Sequence, residues 1–210
     1  MLLLFPNWTR SLSHTPVEDG TPWVTYAAIN FLSRSLTEQM RVFEWGVGGS
    51  TIFFAQRAAE LVSVEHDCKW AEDIQRLMES IRYRSWNLFV VQPNGSCPTG
   101  KADPADPRSY ASFAEAYSGR SFREYASVID GFPDEYFDIV FVDGRVRPSC
   151  VMHAIPKIRT GGYLFVDDME RSHYGWVVKE MERLGWRSYY LAGPAPYYRD
   201  FKCTGVWQAS

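Results

Sequence analysis

No apolar run in this chain is long enough to cross a bilayer. The opening Met1-Leu2-Leu3-Leu4-Phe5 stops at Pro6, far short of the roughly 18 residues that a span requires. The same stretch lacks the basic start and long apolar centre of a secretory leader, so a soluble, cytoplasmic protein with no membrane partner is expected. Positive charge is not in excess either. A formal net charge of -3 and a pI near 5.8 give no general attraction to phosphate backbones, and nucleic acid is not an expected partner. Cysteine is sparse: Cys68, Cys97, Cys150 and Cys203 stand apart without any CxxC spacing, which argues against a zinc site and against a disulfide framework.

What the chain does have is 210 residues, 46% of them hydrophobic, enough for one domain with a full core. Its most informative stretch is RVFEWGVGGSTIFFAQRAAELVSVEHD, from Arg41 to Asp67. It reads as a short apolar strand ending in Glu44, a turn Gly46-Val47-Gly48-Gly49, a helix opening at Ser50-Thr51, and a second strand ending in Glu65. Glycines permit a sharp turn and close approach of a ligand, and a helix start presents backbone N–H groups, with Ser50 as the expected cap. An acid about 20 residues beyond the first glycine is where a ribose diol is held. A dinucleotide fingerprint would place a third glycine at position 51, where Thr51 stands. An NAD-dependent oxidoreductase is therefore the lesser alternative.

The combination of Glu44, Gly46, Gly48 and Glu65 resembles motif I and the following strand of the class I S-adenosylmethionine (SAM) dependent methyltransferases. The resemblance implies SAM as cofactor, with Glu44, Gly46, Gly48 and Ser50 facing its methionyl part and Glu65 taking the ribose hydroxyls. It spans Val42 to about Gln208.

The remaining pattern suits that fold. Ile29, Leu32 and Leu36 mark a helix over 23–36 after an irregular segment in which Trp8 and Trp23 act as pins. Trp70, Ile74, Leu77 and Ile81 share a stripe on a helix over 70–81 whose task is to cover the sheet. Residues 87–92 read as a strand buried on both faces. The Pro-rich stretch 93–112 exceeds the ~12 to 15 residues of an ordinary loop and is read as a substrate cover or a solvent loop. A helix broken near Gly119 is expected over 113–129, a strand over 136–142, a helix over 149–158 closed by Gly161-Gly162, a strand over 163–166, and a helix stopped by Gly185. Two final runs, 187–192 and 203–208, have no helix between them and should pair antiparallel. The expected fold class is α/β: a Rossmann-like, doubly wound, seven-stranded sheet, mostly parallel with an antiparallel C-terminal strand. Residues 1–36 form an N-terminal extension and substrate-side cover, and 37–210 the SAM-dependent methyltransferase domain.

Acids gather where the strands finish: Glu44, Glu65, Asp143, Asp167 and Asp168. Ligands of doubly wound sheets sit at that rim, and such a set needs positive charge among it. SAM answers for Glu44 and Glu65, with Asp143 also adjoining it. Asp143, Asp167 and Asp168, with no His or Cys among them, suit a hard cation such as Mg2+, or else pair with Arg145, Arg147 or Arg171. The pattern resembles the metal-dependent catechol and caffeoyl-CoA type O-methyltransferases, and FVDGRVRPSC with GGYLFVDDMER resembles bacterial methyltransferase-like proteins of unassigned substrate. The first resemblance implies metal-assisted O-methylation of a small hydroxylated acceptor, with Asp143 catalytic. The Lys that catechol-type enzymes place three residues after the first Asp is here Val146, which leaves His173 as the candidate base or else a surface histidine. Trp8, Trp23, Tyr197 and Tyr198 would line a pocket for the acceptor or fill core. A SAM-binding protein without transferase activity is the other alternative, and a homodimer is compatible with the sequence.

Overall fold

The computed structural model describes residues 5–95 and 102–210. Seven strands form one sheet: β1 (Arg41–Trp45), β2 (Glu60–Glu65), β3 (Trp86–Val90), β4 (Phe137–Val142), β5 (Ile158–Val166), β6 (Arg187–Pro194) and β7 (Phe201–Gln208). Their order is 3-2-1-4-5-7-6. The pairs joining β1 to β5 are parallel, while β7 runs antiparallel to both β5 and β6. The doubly wound sheet with its reversed C-terminal strand is thus as the sequence pattern predicts.

Alternation along β1 divides the core. Phe43 and Trp45 point to a cluster that includes Tyr125, Val151, Val177 and Met181, while Val42 points to one that includes Leu32, Phe54, Ile74 and Met78. The first face is covered by α6 (Arg123–Ser127), α7 (Arg147–Ala154) and α8 (Gly175–Leu184), the second by α3 (Tyr26–Ser35), α4 (Gly49–Ala55) and α5 (Cys68–Met78). Phe43 and Trp45 are wholly inaccessible to solvent, and a buried side chain of that size contributes about 1.5 to 3 kcal/mol.

Several boundaries differ from the sequence reading. The N-terminal segment contains α1 (Phe5–Ser11) and α2 (Pro16–Asp19). Helix α2 is held by a capping box in which the Thr15 hydroxyl accepts from Glu18 N–H and the Glu18 carboxylate accepts from Thr15 N–H at 2.7 Å. Strand β3 is not buried on both faces: Phe89 and Val90 are 40% and 43% exposed, because β3 is the edge of the sheet. The expected helix over 113–129 divides into a 3-10 turn at Glu115–Tyr117, the short α6 and a second turn at Val128–Gly131. Gly161 and Gly162 lie within β5, at a bulge where Ile158 pairs with Phe137 and Tyr163 with Ile139. Helix α8 ends at Gly185 in the left-handed region, as predicted.

Of the Pro-rich stretch, 96–101 lie outside the described residues, Cys97 among them. Tyr110 and Ala111 at its far end are buried. The other three cysteines are free thiols. No helix among the described residues is long and apolar enough to cross a membrane.

Candidate functional site

The glycine turn joins β1 to α4. Gly46 has φ +92, and a Cβ there would fall 3.1 Å from the Asp143 carbonyl oxygen and the Gly144 nitrogen. Glycine is needed because the turn after β1 and the turn after β4 press together. At Gly48 a Cβ would meet only the edge of the Trp70 ring, at 4.0 Å, so the backbone is open to a ligand on that side. Trp70 is 40% exposed and donates from Nε1 to the Val47 carbonyl at 2.7 Å. The sequence reading placed it on the covered stripe of α5. Ala71, Ile74 and Met78 hold that stripe, and the indole lies against the glycine turn.

Glu44 is buried beneath the start of α4. It shares a strand face with Val42, so period-2 alternation sends its carboxylate under the helix. Three hydroxyls donate to it: Ser50 at 2.7 Å, Thr51 at 2.6 Å and Ser63, its partner in register on β2, at 2.7 Å. Thr51 also accepts the Gly48 N–H at 3.0 Å. This double use explains a hydroxyl where a dinucleotide site has glycine. Burial pushes the Glu44 carboxyl up to about 7 against the pull of these hydroxyls. A carboxyl raised in the folded state holds its proton between about pH 4.5 and 7 while the unfolded chain has lost it, so stability falls as pH rises through that window. Urea unfolding of Glu44→Gln against the parent at pH 5 and pH 7.5 should therefore show the parent losing ground at the higher pH. Equal slopes would refute the buried-proton account.

Glu65, at the end of β2, is also buried. Its Oε2 accepts from Val47 N–H at 3.2 Å, and its Oε1 accepts from the N–H groups of His66 at 2.7 Å and Asp67 at 2.9 Å. The His66 ring completes the set, with Nδ1 2.5 Å from Oε1. Burial alone would raise this carboxyl, but these donors prevail and hold it below the usual range. It is an ionised acceptor beside the glycine turn. On the other side of His66, Nε2 meets the Tyr117 hydroxyl at 3.0 Å, and the Tyr125 hydroxyl is buried with no hydrogen-bond partner among the described residues. A nucleoside fits this donor set: an open glycine backbone, a charged acceptor for a diol, and the flanking Trp70 and Tyr117 rings.

Asp143, Asp167 and Asp168 converge as predicted, each offering an oxygen within 4.8 Å of the others. Their countercharges come from the protein. Arg147 Nη2 lies 2.8 Å from Asp143 Oδ1 and 3.1 Å from Asp168 Oδ2, and Arg171 lies 2.6 Å from Asp168 Oδ2. Lys202 Nζ contacts Asp167 Oδ2 and lies 2.8 Å from Asp168 Oδ1, while the Thr204 hydroxyl donates to Asp167 Oδ1 at 2.8 Å. Pairing with Arg147 and Arg171 was among the sequence alternatives. Lys202 was not foreseen, although it shares one face of β7 with Thr204, which stands one step beyond the last pair of β5 with β7, Val166 and Gly205.

Burial, outweighing Arg147, raises Asp143, whereas Asp168 is held down to about 2 because Arg147 and Lys202 overcome its burial. Arg147 also donates to the carbonyls of Gly144, Asp143 and Asp167. That grip holds the neighbouring Val146 at φ +43, a left-handed conformation that costs a β-branched residue about 1 to 3 kcal/mol. Asp168 is left-handed too, at φ +58.

In number and type the three acids suit a divalent ion; in charge they do not. Arg147, Arg171 and Lys202 already answer the three carboxylates charge for charge, and an ion sharing these oxygens would meet their repulsion at close range. Mg2+ does not fit while those side chains hold the carboxylates.

His173 follows β5 in a 3-10 turn (Ser172–Tyr174) and lines a cavity of about 580 Å³ with Arg108, Trp176 and Lys179. Its ring packs against Phe113 at a centroid separation of 3.7 Å. Its Nε2 is buried without a hydrogen-bond partner among the described residues. Burial and the nearby Arg171 and Arg147 lower its pKa.

Trp8 donates from Nε1 to the Tyr198 carbonyl at 2.8 Å, and Trp23 meets the Tyr198 ring edge-on at 6.5 Å. Tyr197 reaches Asp19 at 2.9 Å. These aromatics tie the N-terminal segment to the loop between β6 and β7.

No protein-family model matches the chain, and no curated protein sequence is significantly similar to it. Solved structures are similar in fold. A methyltransferase-like protein from Silicibacter pomeroyi superposes with a TM-score of 0.56 at 23% identity, over 88% of this chain and 87% of that one. A putative methyltransferase from Streptococcus mutans in complex with SAH gives 0.55 at 12% identity, over 85% and 93%. A putative O-methyltransferase from Klebsiella pneumoniae gives 0.54 at 16% identity, over 99% and 88%. The seven-stranded sheet, parallel but for its C-terminal strands, goes with this likeness, and the chain has the fold of the class I SAM-dependent methyltransferases.

Proposed function

We propose that this protein is a SAM-dependent methyltransferase acting on a hydroxyl of a small acceptor. The observation that carries the reading is Glu65: an ionised, buried carboxylate at the end of β2, fixed against the glycine turn through Val47 N–H at 3.2 Å. SAM, when bound, supplies the methyl group on a sulfonium. The chain's part is to bind and orient the reactants. Glu65 takes the ribose hydroxyls, Gly46 and Gly48 leave room for close approach, and Glu44 with Ser50 stiffens the turn from beneath.

Of the two residues considered for proton transfer, Asp143 is the better placed. A quarter of its side chain is accessible, and its carboxyl lies near 7, matched to taking a proton at working pH. The His173 Nε2 is enclosed beneath Phe113 and contributes to the cavity wall. The metal-assisted form of the reaction, with Mg2+ on Asp143, Asp167 and Asp168, would require Arg147 and Lys202 to leave those acids. Residues 1–36 act as a cover on the substrate side, tied down by Trp8, Trp23 and Tyr197. The protein acts in the cytoplasm.

Calorimetric titration with SAM, SAH and NAD tests the assignment. SAM and SAH should bind and NAD should not. Binding of NAD alone would replace the reading with an oxidoreductase, and SAM binding without methylated product across a wide panel of hydroxylated acceptors would reduce it to a cofactor-binding protein.

A further inference from the structure

Every oxygen of Asp167 and Asp168 is already engaged. Asp167 Oδ1 accepts from Thr204 and Oδ2 from Lys202; Asp168 Oδ1 faces Lys202 and Oδ2 faces both Arg147 and Arg171. Lys202 is equally committed. An ammonium has three donors, and here three acceptors surround it: Asp167 Oδ2, Asp168 Oδ1 and the Trp23 carbonyl at 3.2 Å. Its side chain is 11% exposed, and Nζ stands 5.5 Å from the centre of the Trp23 ring. Three carboxylates thus face three cations, one of which also holds the segment leading into α3.

We propose that Lys202 is the resident cation of this rim, standing where a divalent ion would otherwise serve the three aspartates, so that the site holds its acids in place without metal. Lys202 is a positioning residue. It comes from β7, and its Trp23 contact makes the N-terminal segment part of the same arrangement: a metal could enter only by displacing an ammonium that the cover also holds. Removing the ammonium would leave the carboxylates one positive charge short and two oxygens, Asp167 Oδ2 and Asp168 Oδ1, free to coordinate.

The inference concerns metal affinity and is read without methyl transfer, so it stands apart from the transferase reading. Manganese binding is followed by electron paramagnetic resonance on the full chain, with SAH titrated into the same samples. The parent should leave Mn2+ free up to about 1 mM, Lys202→Met should bind it at least tenfold more tightly, and Lys202→Met combined with Asp168→Asn should lose that gain. Lys202→Arg, which restores a cation, should behave as the parent. Micromolar Mn2+ binding by the parent overturns the proposal whether or not any variant folds. A folded Lys202→Met that gains no affinity overturns it as well. Failure of SAH to bind, with the metal pattern as expected, would sink the transferase reading alone.

Discussion

Replacing Glu65 by alanine is expected to weaken SAM and SAH binding by roughly 10- to 150-fold. The range corresponds to about 1.5 to 3 kcal/mol, the worth of hydrogen bonds to a charged group. Two further consequences separate this from a loss of fold. Glu65 also accepts the N–H groups of Val47, His66 and Asp67, so the variant should melt earlier. Glu65→Gln, which keeps an acceptor oxygen but not the charge, should recover part of the melting temperature and less of the affinity. Because the Glu65 carboxyl is held low in the folded protein, its stabilising contribution is complete above about pH 4.5 and fades as pH falls below that value. SAH affinity in the parent should therefore be level across neutral pH. Calorimetry returning parental affinity for Glu65→Ala would remove the ribose assignment.

Replacing Arg147 by methionine should produce the largest loss of stability in the molecule. Its guanidinium is 8% exposed and meets Asp143, Asp168 and three backbone carbonyls. Removing one side of a buried ion pair leaves an uncompensated charge and costs about 3 to 5 kcal/mol. For a domain of this length the melting temperature would fall by roughly 6 to 20 °C. The deficit should shrink at acid pH. Asp143 is raised toward neutrality even with Arg147 present, and without it the carboxyl takes up a proton more readily, removing the unpaired charge. A loss under about 1 kcal/mol by urea unfolding at pH 8 would show that Arg147 is not the chief counter-ion. Relief of the strained Val146 backbone works in the opposite direction, but by less than the ion-pair loss.

Much of the site was legible because its signals are local. The turn at Gly46 and the acid at Glu65 follow from dihedral freedom and from the length of one βαβ unit. Lys202 was not legible. It lies 35 residues from Asp167 and meets it only because β7 enters the sheet antiparallel beside β5. Trp70 was misread for a related reason: its spacing matches the stripe of α5, but the indole finds a hydrogen-bond acceptor at Val47 outside the helix. Glu44 was legible as a motif acid. Its enclosure by Ser50, Thr51 and Ser63 depends on which way the strand faces and on what β2 brings opposite it.

By itself, then, the order of residues determined the βα alternation, the antiparallel end and the row of acids at the strand tips, since each depends on periodicity or turn chemistry within a few residues. Only the tertiary structure decided which charges answer that row. Counter-ions are selected by distance in space, and the pairing of β5 with β7 placed an ammonium where the sequence had suggested a metal.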